Sequence, residues 1–175
     1  ESMKTQASID KVASWGAVGA VVVAYGQILP QIFLDLYPQK VVNVHGSLLP
    51  LWRGAAPIQR SIMNGDDVTG VSLQVMVAKL DAGPIIGETK KELNESIDAI
   101  ELHDLLMIDG AKLVSEKFFK YLEGEVTPID QDESLVSYAE KIKKTESHID
   151  WTMPALKISQ KIRGMKMGPG SYALK

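Results

Sequence analysis

The run Val41-Val42-Asn43-Val44-His45-Gly46-Ser47-Leu48-Leu49-Pro50 restricts the fold more than any other stretch. Its apolar, β-branched opening reads as a buried strand, and Gly46, Ser47 and Pro50 end it in a loop. Side chains alternate along a strand, so Asn43 and His45 share one face while Val42 and Val44 share the other. In a parallel α/β sheet, ligands bind at the carboxyl ends of strands. A polar pair at that end is placed for chemistry. Residues 20–25 form a second uncharged, β-branched run, the pattern of a parallel strand covered on both faces. It enters a loop at Gly26-Gln27-Ile28-Leu29-Pro30, a second candidate for ligand contact.

Helical patterns alternate with these runs. Residues 1–15 carry an apolar side of Ile9, Val12, Ala13 and Trp15, and residues 31–36 read as a short helix closed by Tyr37-Pro38. Residues 57–64 read as a helix with Pro57 in its first turn and Gly65 just past its end. Residues 70–76 alternate as a strand, and an apolar run resumes at Ile85 after a turn at Gly83. A long helix is expected over 97–122, capped by Ser96. Its buried side would be Leu102, Leu105, Leu106, Leu113, Val114, Phe118 and Tyr121. Gly110 sits inside it at a cost of about 1 kcal/mol. Residues 124–132 read as a connection, and residues 134–144 and 155–162 as short helices. This order predicts an α/β fold.

Composition narrows the chemistry. The chain has no cysteine, which excludes a disulfide framework and thiolate catalysis or metal binding. No apolar run approaches the roughly 20 residues of a membrane span. The formal charge of −3 is unevenly spread, because residues 141–175 hold eight of the 19 Lys/Arg and two of the 22 Asp/Glu. A basic end on an acidic body points to a polyanionic partner or to a solvated basic helix face. The chain opens at Glu1 without a methionine, as a piece of a longer chain would.

Asn43 and His45 suit work on a carbonyl. An amide can polarise it, and an imidazole can carry a proton or, when cationic, stabilise an oxyanion. The imidazole needs a carboxylate to orient it, and Asp81, between a strand and a Gly-Pro turn, is the candidate. A serine hydrolase built on Ser47 lacks G-x-S-x-G. A metal site from His45, His103 and Asp81 lacks H-E-x-x-H, so no metal is expected. No Gly-rich phosphate-binding motif occurs.

The segment NVHGSLLPLWRGAAPIQ at 43–59 resembles the active-site segment of the folate-dependent formyltransferases. VVVAYGQILP at 21–30, TGVSLQVM at 69–76, KLDAGPI at 79–85, LVSYAEKI at 135–142 and Ile149-Asp150-Trp151 agree in order. The W-R-G-A-A-P-I-Q extension and the Tyr-Ala-Glu-Lys segment favour the branch whose acceptor is initiator methionyl-tRNA. The resemblance implies a Rossmann-like, mostly parallel sheet. It implies a catalytic domain over 1–126, lacking its first strands, a linker over 127–145, and the start of a β-barrel domain that binds tRNA over 146–175. Asn43, His45 and Asp81 would be catalytic. 10-Formyltetrahydrofolate, the formyl donor, would lie against Tyr25, Gly26, Gln27, Ile28, Leu29, Ser47, Leu48, Leu49 and Pro50. Arg53, Lys157, Lys161, Arg163 and Lys166 would meet the tRNA. A monomeric, cytoplasmic, bacterial-type enzyme without a metal is implied. The alternatives are a formyltransferase for another acceptor, a formyl-folate hydrolase, or a folate-binding module without catalysis.

Overall fold

The computed structural model describes residue 3 and residues 5–174. In chain order the elements are α1 (Gln6–Ala13), β1 (Ala20–Val23), α2 (Gln31–Leu34), β2 (Val41–His45), β3 (Arg53–Gly54), α3 (Pro57–Asn64), β4 (Val68–Val75), β5 (Ile85–Glu92), α4 (Ala99–Leu122), β6 (Tyr138–Ala139) and α5 (Ala155–Gly164). The main sheet has the order β1-β2-β4-β5. The ladder between β1 and β2 is parallel, and β4 runs antiparallel to both β2 and β5. Strands β1, β2 and β5 therefore point one way and β4 against them, giving a mixed Rossmann-like α/β sheet.

Alternation along the strands sorts the core. Val42, Val71, Leu73, Val75 and Ile86 pack against Leu102, Leu106, Leu113 and Phe118 of α4 on one face. Val41, on the other face of β2, joins Val12, Leu29, Phe33, Leu34 and Tyr37 around α1 and α2. The α4 helix lies so close that a Cβ on Gly110 would stand 2.9 Å from Val44 Cγ1. Gly110 is thus a contact point with the sheet as well as a cost to the helix.

Several sequence expectations change. Strand β1 ends at Val23, where Ala24 turns left-handed, and it is not covered on both faces. Val21 and Val23 are exposed because β1 is an edge that pairs only with β2 among the described residues. The first helix spans Gln6–Ala13, with Trp15 exposed beyond it; residues 1, 2 and 4 lie outside the described residues. Asp98, not Ser96, caps α4, accepting from the N–H groups of Ile100 and Glu101 while Glu101 reaches back. Ser96 is instead held by the Asn94 side chain. Leu105 faces out, at 39% exposure, because α4 covers the sheet with a narrower stripe than expected. Residues 134–144 are not a helix. A 3₁₀ turn over Glu133–Leu135 leads into β6, which pairs with β3 as a second, two-stranded sheet.

The Gly110 contact gives a stability test. Gly110→Ala gains about 1 kcal/mol of helix propensity, but the new methyl overlaps Val44 and should cost about 1–3 kcal/mol through overpacking. Urea unfolding should show a net loss, and a net gain would mean that Val44 yields freely.

Candidate active site

The register of β2 against β4 builds the site. Asn43 stands opposite Gln74 and His45 opposite Ser72, while Val42 and Val44 oppose Val75 and Leu73. Directly opposed residues share a face, so Asn43, His45, Ser72 and Gln74 form a polar cluster on the face away from α4. Ser72 pins the loop after His45: its hydroxyl accepts from Leu49 N–H at 2.9 Å and lies 2.8 Å from the Ser47 carbonyl. Because β1 and β2 are parallel, with Val23 beside Val44, the loops that leave both strands emerge at the same sheet edge.

His45 is buried, at 6% exposure. Its Nε2 lies 2.9 Å from the Trp52 carbonyl, which can only accept, so Nε2 carries a proton. Its Nδ1 faces Asp81 Oδ2 at 3.8 Å, too far for a hydrogen bond but close enough for charge attraction. Two N–H groups hold the Asp81 carboxylate. Gly54 N donates to Oδ2 at 2.9 Å, and Gln74 Nε2 donates to Oδ1 at 3.0 Å. Asp81 itself is left-handed, at φ 46°, a conformation that needs support from its surroundings. The half-buried Asn43 amide makes no hydrogen bond among the described residues. The structure thus brings Asp81 to His45 and puts Asn43 on the same face of β2 as His45.

The wider site departs from expectation. Ser47 and Leu49 are buried at 0% and 5%, and Leu29 at 7%. The Ser47 hydroxyl donates to the Leu51 carbonyl, so this side chain shapes the loop. Gly26, Gln27 and Ile28 are exposed, and Tyr25, Leu48 and Pro50 half-buried. Arg53 is fully buried and cannot meet an RNA phosphate. Its Nε and Nη2 donate to Gln131 Oε1, and Nη2 also pairs with Glu133 at 2.9 Å. The basic end is partly spent inside the protein. Lys157 donates to the Asn64 carbonyl, Lys161 to that of His148, and Arg163 to that of Ile97. Lys166 pairs with Asp98 and holds that carboxyl below the usual range.

Sequence reading missed Gln74, Gln131 and Glu133. Gln74 was legible as a polar residue on an alternating strand, but its partner was not. Gln131 and Glu133 lie in what reads as a linker, yet this segment lines the site. Ile129 pairs with Ile85, Ser137 accepts from Trp52 N–H, and β6 joins β3. A Cβ at Gly54 would meet the Ala139 carbonyl at 2.8 Å, so the β3–β6 approach depends on glycine there.

Glu133 joins Arg53 and Lys79, the latter at 2.7 Å, and these cations lower its carboxyl from 4.5 to about 2. A lowered carboxyl stabilises the fold above its unfolded-state value and loses that effect as pH falls through its folded value. The melting-temperature gap between the wild type and Glu133→Gln should therefore be full near neutrality and close between 4.5 and about 2. Because Glu133 is exposed, added salt should narrow it. A gap independent of pH would show that the charge is not what Arg53 and Lys79 use.

The formyl transferase family model matches residues 1–114, and the model for the formyl transferase C-terminal domain matches residues 141–175. The methionyl-tRNA formyltransferase of Bdellovibrio bacteriovorus is 51% identical over 173 residues, 98% of this chain and 54% of that protein. The one from Nitrobacter hamburgensis is 44% identical over 172 residues, 98% of this chain and 56% of that protein. The chain thus spans about half the length of these curated relatives. A sugar N-formyltransferase from Shewanella superposes with a TM-score of 0.83 at 15% identity, over 100% of this chain and 71% of that one. An N-formyltransferase from Helicobacter canadensis, solved with folinic acid and dTDP-3-aminofucose, gives 0.70 at 22% identity, over 79% and 51%. These structural likenesses establish the fold. With both family models matched in order, the first over more than half of the residues, the chain belongs to the formyl transferase family.

Proposed function

We propose that this chain carries the catalytic centre that moves a formyl group from 10-formyltetrahydrofolate to the amino group of methionine on initiator methionyl-tRNA. The observation that carries the reading is the Asn43 amide, without a hydrogen-bond partner among the described residues, beside the His45–Asp81 pair. An amide left free next to a poised imidazole suits a carbonyl oxygen from outside the protein. The relatives at 40–51% identity named methionyl-tRNA formyltransferase favour this acceptor over an amino sugar. Transfer to a tRNA would place the work in the cytoplasm.

The residues divide the task as follows. The donor, when bound, supplies an activated formyl carbon. The amine nitrogen forms a bond to that carbon and loses a proton, and the bond from the carbon to the folate nitrogen breaks as that nitrogen gains one. Negative charge grows on the formyl oxygen meanwhile. His45 Nε2 is spent on Trp52, whereas Nδ1 has only the long contact to Asp81. A protonated Nδ1 and the Asn43 N–H are then the donors open to that oxygen. Asp81 favours positive charge on the ring and takes up the proton from the amine, directly or through a water. The exposed Gly26-Gln27-Ile28 loop and half-buried Tyr25, Leu48 and Pro50 would receive the folate, which fits because both loops flank Asn43. For RNA, the exposed side chains of Lys157 and Lys166 would have to give up the Asn64 carbonyl and Asp98. Contacts of that kind give salt-sensitive binding without base choice.

Asn43→Ala and His45→Ala should each lower kcat for formyl transfer by about 10²-fold or more, with a much smaller change in folate affinity. Single-turnover transfer to Met-tRNA, paired with a folate titration, measures both. Folate binding without any transfer by the unsubstituted protein would favour a non-catalytic folate-binding module. Near-normal turnover of His45→Ala would remove it from the mechanism.

A further inference from the structure

The left-handed turn that carries Asp81 is clipped by one side chain from far along the sequence. Gln131 Nε2 donates to the Asp81 carbonyl at 2.8 Å and to the Gly83 carbonyl at 2.7 Å. A primary amide has two N–H hydrogens, so both bonds can form together and fasten both ends of the turn. The same nitrogen lies 3.4 Å from Gln74 Oε1, and Gln74 is one of the two donors to the Asp81 carboxylate. Gln131 Oε1 accepts from Arg53 Nε and Nη2 at 3.0 and 2.7 Å. The residue after Arg53 is Gly54, the other donor to that carboxylate. Gln131 thus touches or adjoins each group that places the carboxylate. It makes no hydrogen bond to His45 or Asn43.

We infer that Gln131 is a positioning residue for formyl transfer, fixing the 81–83 turn so that the Asp81 carboxylate faces His45. The inference rests on the reading of His45 and Asp81 as the working pair. Glutamine suits the position because two carbonyls need donors while the buried guanidinium needs an acceptor. Leucine would leave both carbonyls and Arg53 Nε unmet, with Glu133 alone on the guanidinium, and glutamate would serve Arg53 but not the turn. The segment between the two family domains then becomes part of the catalytic apparatus, reaching Asp81 without touching substrate.

The test is a double-substitution cycle read at His45. NMR follows the His45 ring-nitrogen chemical shifts at one fixed pH in the whole chain, with and without Asp81→Asn, in the original and the Gln131→Leu backgrounds. Gln131→Glu, which keeps the acceptor for Arg53, repeats the cycle and covers a Gln131→Leu protein that does not fold. If Gln131 aims the carboxylate, the shift caused by Asp81→Asn should fall by about half or more once Gln131 is replaced. Formyl transfer should lose about 10-fold or more in kcat while KM for the folate donor stays within about 2-fold, because misplacement acts on the transition state. Equal Asp81→Asn shifts in both backgrounds with unchanged kcat would overturn the inference and reduce Gln131 to a structural bond. No shift from Asp81→Asn even in the original background would overturn the His45–Asp81 reading itself, and the inference with it.

Discussion

The site depends on the register between β2 and β4. Because side chains alternate with a period of two, a slip of one residue would turn Asn43 and His45 into the α4 core and Val42 and Val44 outward. The observed pairing puts valine and leucine against α4 and leaves Asn43, His45, Ser72 and Gln74 on the opposite face. Hydrophobic burial therefore sets the register, and the register sets the chemistry. Gly110 belongs to the same constraint, since it lets α4 come down onto Val44 and Val71 and hold the strands in place.

A polar network on the other face does what burial cannot. A left-handed aspartate and a buried arginine are each costly in isolation. Here they offset one another through shared partners. Arg53 is met by Gln131 and Glu133, Gln131 fastens the Asp81 turn, and Gly54 and Gln74 hold the carboxylate. Ser137 and β6 add backbone pairing along the same loop. The carboxylate that faces His45 is thus fixed by residues from three separate stretches of the chain.

The charged end of the chain shows how composition can mislead about use. Its excess of cations is real, but Lys157, Lys161 and Arg163 reach backbone carbonyls and Lys166 reaches the capping residue of α4. Carbonyls left open near helix ends attract cations, and Lys157 meets one on Asn64, the last residue of α3. The same side chains that suggest a polyanionic partner also fasten α5 to the body.

What the sequence determined by itself is local. The strand at 41–45, the helix with Pro57 at its start and Gly65 at its left-handed end, and the sharing of a face by Asn43 and His45 follow from alternation, proline and glycine stereochemistry. The long motif around His45 also made the family legible. What only the tertiary structure decided is non-local. Nothing in the pattern of β4 says that it runs against its neighbours, since alternation is the same in either direction. Nothing near Gln131 or Glu133 marks them as partners of Arg53, because both sit in a polar stretch with the composition of a linker. Arg53 reads as a surface cation until its neighbours across the fold are known. Burial, pairing and direction belong to contacts between distant segments, and those contacts bring Asp81 to within 3.8 Å of His45.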